Sequence, residues 1–168
     1  MIAIRRMQIA ELEQLAEFDR SEHVREIYVN RDGELIRKDV DWHIPLLPPE
    51  EITRWRAMLA AGSTMLGAFD GETLAGFSID RPDLSQDTAQ LAALYVSKNF
   101  RGRKIGISLL EKVAGTARAE GAKKLYVSST PTAATVDFYM SQGFAVTEEV
   151  NEHLYELEPE DIHMIRNL

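Results

Sequence analysis

Apolar and polar positions alternate along some stretches of the chain and recur every three to four residues along others. The first pattern marks strands and the second marks helices. Residues 2–7, IAIRRM, alternate and predict a first strand. Residues 9–21 carry apolar side chains at Ile9, Leu12, Leu15, Ala16 and Phe18, a helical spacing. In residues 25–38 Ile27 and Val29 alternate with polar neighbours, Asp32-Gly33 is a turn pair, and Leu35 and Ile36 follow. That pattern is a hairpin. Residues 41–52, DWHIPLLPPEEI, read as a loop punctuated by proline. Residues 48–61 predict a helix with Pro49 near its start and acids in its first turn.

The second half follows the same logic. Residues 63–80 form a second predicted hairpin around Asp70-Gly71, and residues 88–97, TAQLAALYVS, suit a central strand buried on both faces. Residues 103–121 predict a helix whose buried stripe is Ile105, Leu109, Leu110, Val113, Ala114 and Ala117, with Gly121 as its stop. A strand over 123–129 and a helix over 131–142, stopped by Gly143, come next. FAVTEEV and HLYELE are read as two final strands, and the tail ELEPEDIHMIRNL is expected to pack on the surface or at a dimer contact. No repeat, low-complexity stretch or linker interrupts the chain. The expectation is one mixed α/β domain over 1–168, a central sheet with helices packed on it.

The length of 168 residues suits one domain. A chain of this size buries about 70% of its unfolded surface and needs no disulfide staple. It contains no cysteine, which excludes thiolate catalysis and Cys-ligated metal, and which fits a reducing cytoplasm. No run is apolar enough to span a bilayer, and the first residues lack a signal-peptide pattern. The expected localisation is cytoplasmic. A net charge of −8 argues against nucleic acid as a partner and is compatible with a cationic substrate.

Against that acidic background residues 98–110, KNFRGRKIGISLL, gather four cations within seven residues, just before a helix. Helix-terminal amides are unpaired and carry partial positive charge, so they attract anions. Gly102 and Gly106 allow close backbone approach, and Arg101, Arg103 and Lys104 add full charges. A pyrophosphate is the natural guest, while a merely solvated basic helix start is the plainer reading. The turn is neither a Walker loop nor a dinucleotide fingerprint.

The ordered set LAALYVS, KNFRGRKIG, KKLYVSS and DFYMSQGF resembles the GNAT superfamily of N-acetyltransferases over about residues 64–148. The resemblance implies a mostly antiparallel sheet of about six to seven strands. It also implies acetyl-CoA as the acyl donor, with no metal. In that family the loop R/Q-x-x-G-x-G/A holds the coenzyme A pyrophosphate. By the match, Arg101, Gly102, Arg103, Lys104, Ile105, Gly106 and Ile107 would do so here. Lys104 stands where the middle glycine usually lies, with its backbone expected at negative φ and its side chain outward. Leu94, Tyr95 and Val96 match the segment that pairs with pantetheine, and the Val96 amide would polarise the thioester carbonyl. Tyr139, in F-Y-x-x-x-G-F, falls where the family places the acid that protonates the leaving thiolate. Its plainer reading is inward packing beside Val136 and Met140. Thr132 takes the position of an asparagine that bonds the pantetheine arm, and a threonine has one donor there instead of two.

Only a neutral amine attacks, and deprotonating an alkyl ammonium at pH 7 costs about 4 kcal/mol. The two positions where relatives carry a basic carboxylate are Gln90 and Val127. His43, His23, Glu22 and Glu26 are the substitutes in the segment that would wall the acceptor site, and each reads equally well as a plain surface residue. Four scattered histidines show no metal-binding spacing. Trp42, Trp55, Tyr28 and the hairpin at Asp32-Gly33 are expected to shape the acceptor pocket, or else to serve as core anchors.

The activity expected is acetyl transfer from acetyl-CoA to a primary amine, of a small molecule or a peptide, by direct attack in a ternary complex. No nucleic acid or membrane partner is expected, and a homodimer is compatible. The alternative is a non-catalytic acyl-CoA-binding sensor, favoured by the missing bases. An RNA-directed acyltransferase would need a basic face that the charge balance disfavours.

Overall fold

The structure is a computed structural model describing residues 1–168. Its elements in chain order are β1 (Ile2–Arg6), a 3-10 helix (Ile9–Glu17), β2 (Glu22–Arg31), β3 (Glu34–Ile44), α1 (Pro49–Ala60), β4 (Thr64–Asp70), β5 (Thr73–Ser85) and β6 (Thr88–Val96). After a short 3-10 turn (Lys98–Phe100) come α2 (Ile105–Ala119), β7 (Lys124–Ser129), α3 (Ala133–Ser141), β8 (Ala145–Val146), α4 (Glu152–Leu157) and β9 (Ile162–Asn167). Seven strands form one sheet in the order β1-β4-β5-β6-β7-β9-β8, and β2 and β3 form a separate hairpin. Only β6 and β7 pair in parallel. This is the mixed, mostly antiparallel sheet flanked by helices, with its extra hairpin, that the sequence predicts.

The helix α2 connects the parallel strands and buries the predicted stripe, from Ile105 through Ala117, against β5 and β6. On another part of the sheet Phe77 meets Phe18 and Trp55 edge-on at 5.0 and 5.4 Å between ring centroids. These rings close a second core with Leu12, Leu15 and Met65 under the first 3-10 helix and α1. Trp55 is therefore a core anchor and not part of a pocket wall.

Four local expectations are corrected. Residues 9–17 wind as a 3-10 helix opened by a Gln8–Glu11 capping box. The strand β3 runs on through Asp41-Trp42-His43 to Ile44, because Glu22–Val24 pair with it, so the supposed loop begins later. HLYELE is a helix, α4, capped by the Asn151 side chain, which accepts the Leu154 amide at 3.0 Å. The tail is not surface cover. It is β9, inserted between β7 and β8, with Ile162 and Met164 fully buried.

Candidate active site

The parallel pairing of β6 with β7 covers only Thr88–Gln90 against Lys124–Tyr126. Beyond it both strands continue apart. The cause lies in β6, where Leu91 and Ala93 face consecutive residues of β5 and Ala92 is left over as a bulge. A bulge bends its strand and releases the ladder beside it. The V between the strands is a cleft of about 300 Å³. Leu91–Val96 form one wall, Ser128–Thr130 the other, and Ala134, Thr135, Phe138 and Tyr139 of α3 close it.

The register of β6 sets which of its groups face this cleft. The Ser97 amide donates to Ala75 across the β5–β6 ladder at 2.9 Å. Antiparallel ladders alternate, so Tyr95 and Ala93 also turn their polar groups to β5, and Leu94 and Val96 turn theirs to the cleft. No β7 residue pairs with them there. The Val96 carbonyl accepts Arg101 Nε at 3.3 Å, and its amide stays free.

The cleft leads to the N-terminus of α2. No amide from Arg101 to Ile107 donates a hydrogen bond within the protein, and Lys104 offers no side-chain cap. Gly102 has φ +79° and Lys104 φ +60°, so successive amides curl toward one another. Such a nest is an anion site. The left-handed conformation of Lys104 contradicts the negative φ expected for it. An L-residue held there costs about 1–2 kcal/mol. Gly106 faces the cleft floor, where an added Cβ would lie 3.6 Å from both the Phe138 ring and Val96.

The side chains of the turn are distributed unevenly. Arg101 lines the cleft, but its guanidinium also fastens the turn, donating to the Val96 carbonyl and, at 2.9 Å, to that of Arg20. Arg103 lies over the Phe100 ring. Gly102, Arg103 and Lys104 are exposed, Ile107 is half-buried, and Ile105 is a core residue under the sheet. Tyr95 packs on Phe77 and Trp55 with its hydroxyl accepting from Arg20 at 3.2 Å. Thr132, expected at the pantetheine arm, is buried as the α3 cap. Its hydroxyl donates to Thr135 Oγ1 at 2.8 Å and accepts the Thr135 amide, so Ala134 and Thr135 form the wall instead.

Tyr139 stands on the cleft with its ring against Phe138 and Phe144. Its hydroxyl has no partner within the protein. Burial, and then its neighbours Tyr95 and Asp161, raise its pKa well above the usual phenol value, so it keeps its proton.

Of the substitute bases, only Glu22 reaches the cleft, beside Arg20 and Ile44. Glu26 is paired with Arg37, and His23 and His43 stack on each other away from the cleft. Gln90 and Val127 are buried in the sheet. Trp42 is exposed and does not line the cleft, whereas Tyr28, bonded to Asp137 and Arg37, lies with Asp32 and Gly33 on the wall of a second cavity. The carboxyl that sequence reasoning missed is Asp161. It accepts Ser128 Oγ at 2.9 Å, and burial followed by Glu158 pushes its pKa up to about 6. Asp161 also lines this second cavity, of about 590 Å³, whose wall includes Asp32, Glu148, Glu160 and His163. The Ser128–Asp161 hydrogen bond thus spans the wall between the cleft and an acidic cavity.

A family model described as "Acetyltransferase (GNAT) domain" matches residues 47–154, and the chain belongs to this family of acetyltransferases. Solved structures share the fold. The chain is similar to nourseothricin acetyltransferase at 19% identity and a TM-score of 0.77, covering 99% of this chain and 98% of the other. It is similar to the PaiA N-acetyltransferase of Thermoplasma acidophilum in complex with coenzyme A, at 20% identity and a TM-score of 0.65, covering 100% and 99%. A GNAT family acetyltransferase of Elizabethkingia anophelis with acetyl-CoA bound gives 16% identity, a TM-score of 0.64 and coverage of 99% and 98%. A search by sequence against curated proteins returns no significant match. No helix of the chain is long and apolar enough to cross a membrane.

Proposed function

We propose that the protein transfers an acetyl group from acetyl-CoA to a primary amine bound in the same complex. One observation carries this reading: the unpaired amides of β6 run directly into the unpaired amides that open α2, with Tyr139 on the facing wall. An extended polar chain ending in a pyrophosphate fits that track. Acetyl-CoA supplies the activated acyl group. The Leu94 and Val96 backbone holds the pantetheine arm, and the Val96 amide faces the acyl carbonyl. The nest at Arg101–Ile107 holds the pyrophosphate, with Arg103 and Lys104 adding charge.

Tyr139 delivers the proton that the departing thiolate needs. Its raised pKa makes full transfer uphill, so the proton released by the acceptor must balance it. The acceptor nitrogen loses two protons in all. The first leaves the ammonium through Ser128 to Asp161, a carboxylate with an affinity close to the working pH. The second, lost as the C–N bond forms and the C–S bond breaks, restores Tyr139. The acceptor enters from the acidic cavity, where Asp32, Glu148 and Glu160 favour a cationic amine. The buried His163 Nε2 behind the same wall lacks a partner while Nδ1 bonds Tyr126. Thiol release from acetyl-CoA, followed over a panel of primary amines, tests this reading. Transfer should appear with cationic amines, whereas tight acetyl-CoA binding without transfer to any amine would favour the sensor.

A further inference from the structure

The hairpin of β2 and β3 carries a cluster that the transfer reaction does not use. His23 and His43 are direct cross-strand partners. Their rings stack at 4.3 Å between centroids with planes 14° apart. Between the Val24 and Glu26 pairings two residues of β3 face one of β2, Arg25, so a bulge falls at Val40–Asp41. Bulges re-aim side chains, and here Asp41 reaches His23 Nε2. One ligand atom from each of His23, Asp41 and His43 lies within 4.8 Å of the other two. Strand alternation turns His23 and His43 away from Glu22 and Ile44, their neighbours that line the cleft.

We infer that His23, Asp41 and His43 form a binding site for a borderline divalent cation of the zinc class on the outer face of this hairpin. Two imidazoles and one carboxylate are a donor set for zinc, and one position remains open to water. Hard cations prefer all-oxygen sites and fit poorly. The backbone ladder holds the two histidine backbones side by side, and the stacked rings turn about their side-chain torsions to aim one nitrogen each at the ion. Two facing imidazoles bring no net charge when neutral, and the metal replaces the His23–Asp41 contact with three bonds. The ion would clamp the two strand ends that carry Glu22 and Ile44, holding that wall of the cleft in place.

The test is calorimetric titration of the full chain with zinc chloride, beside His23→Ala, His43→Ala, Asp41→Asn and His153→Ala variants, each checked for its fold by circular dichroism. The expected result is saturable binding of one ion per chain in the micromolar range. It should weaken by more than about tenfold in each of the three cluster variants, stay unchanged in His153→Ala, and have no counterpart with magnesium. Equal zinc affinity in intact protein and in the His23→Ala and His43→Ala variants would overturn the site. So would the absence of saturable binding by the intact protein. These outcomes do not depend on acetyl transfer.

Discussion

Ser128 donates a 2.9 Å hydrogen bond to Asp161, and the two residues line different cavities. Burial raises the carboxyl to about 6. If this pair takes the acceptor's proton, kcat/KM rises with pH through about 6 as Asp161 ionises. Asp161→Asn should abolish that limb and lower kcat/KM by about 10²–10⁴-fold. The check is a pH–rate profile of both proteins with one amine. An unaltered limb in the variant would assign the proton to another group, and Glu22 is then the carboxylate left at the cleft.

Tyr139 offers a cleaner separation of binding from chemistry. Its ring is packed between Phe138 and Phe144, while its hydroxyl bonds nothing in the protein. Tyr139→Phe should therefore leave stability and acetyl-CoA affinity nearly unchanged. Turnover should fall by about 10²-fold or more. Parallel measurement of kcat and of acetyl-CoA binding decides it.

Lys104 occupies the left-handed region at φ +60°. Glycine adopts that conformation without a Cβ clash, so Lys104→Gly should stabilise the fold by about 1 kcal/mol. For a chain of this size that corresponds to about 2–4 °C in Tm. The amides stay free in the variant, so acetyl-CoA binding should lose at most the contribution of one exposed cation.

Asp80 is a buried carboxyl on β5 that the reaction does not use. Burial, and then the charge of Glu120, raises it from 3.8 to about 6. The folded state therefore keeps this proton over a range where the unfolded state has lost it. Between pH 4 and 6 the unfolded chain binds fewer protons at this site, and its contribution to stability falls as pH rises. At neutral pH the deficit is on the order of 2–3 kcal/mol. Asp80→Asn should raise stability at pH 7.5 by about 1–3 kcal/mol and change little at pH 4, as urea unfolding at the two pH values would report.

Local patterns carried much of the fold. The stripe from Ile105 to Ala117 is buried residue for residue, because a helix of that length repeats its signal over several turns. Short segments were harder. HLYELE alternates enough to suggest a strand, although Asn151 before it, followed by Glu152, was a legible cap. The tail became β9 only through pairing with β7 and β8, which no local window contains.

The site divides along the same line. The turn at Arg101–Ile107 and Tyr139 lie on consecutive, recognisable segments. Asp161 comes to Ser128 only because Ile162 pairs with Ser129, and His23 meets His43 only through hairpin register. Thr132 was misplaced for a related reason. Threonine is a strong helix cap, and its hydroxyl went to Thr135 before any ligand could use it.

The central claim is that the β6–α2 track holds acetyl-CoA, and Gly106 sits at its floor. Calorimetric titration with acetyl-CoA, beside a Gly106→Trp variant that fills the space between Val96 and Phe138, tests it most directly. The account predicts micromolar binding by the intact protein and its loss in the variant. Equal binding by both proteins, or none by the intact one, would contradict it.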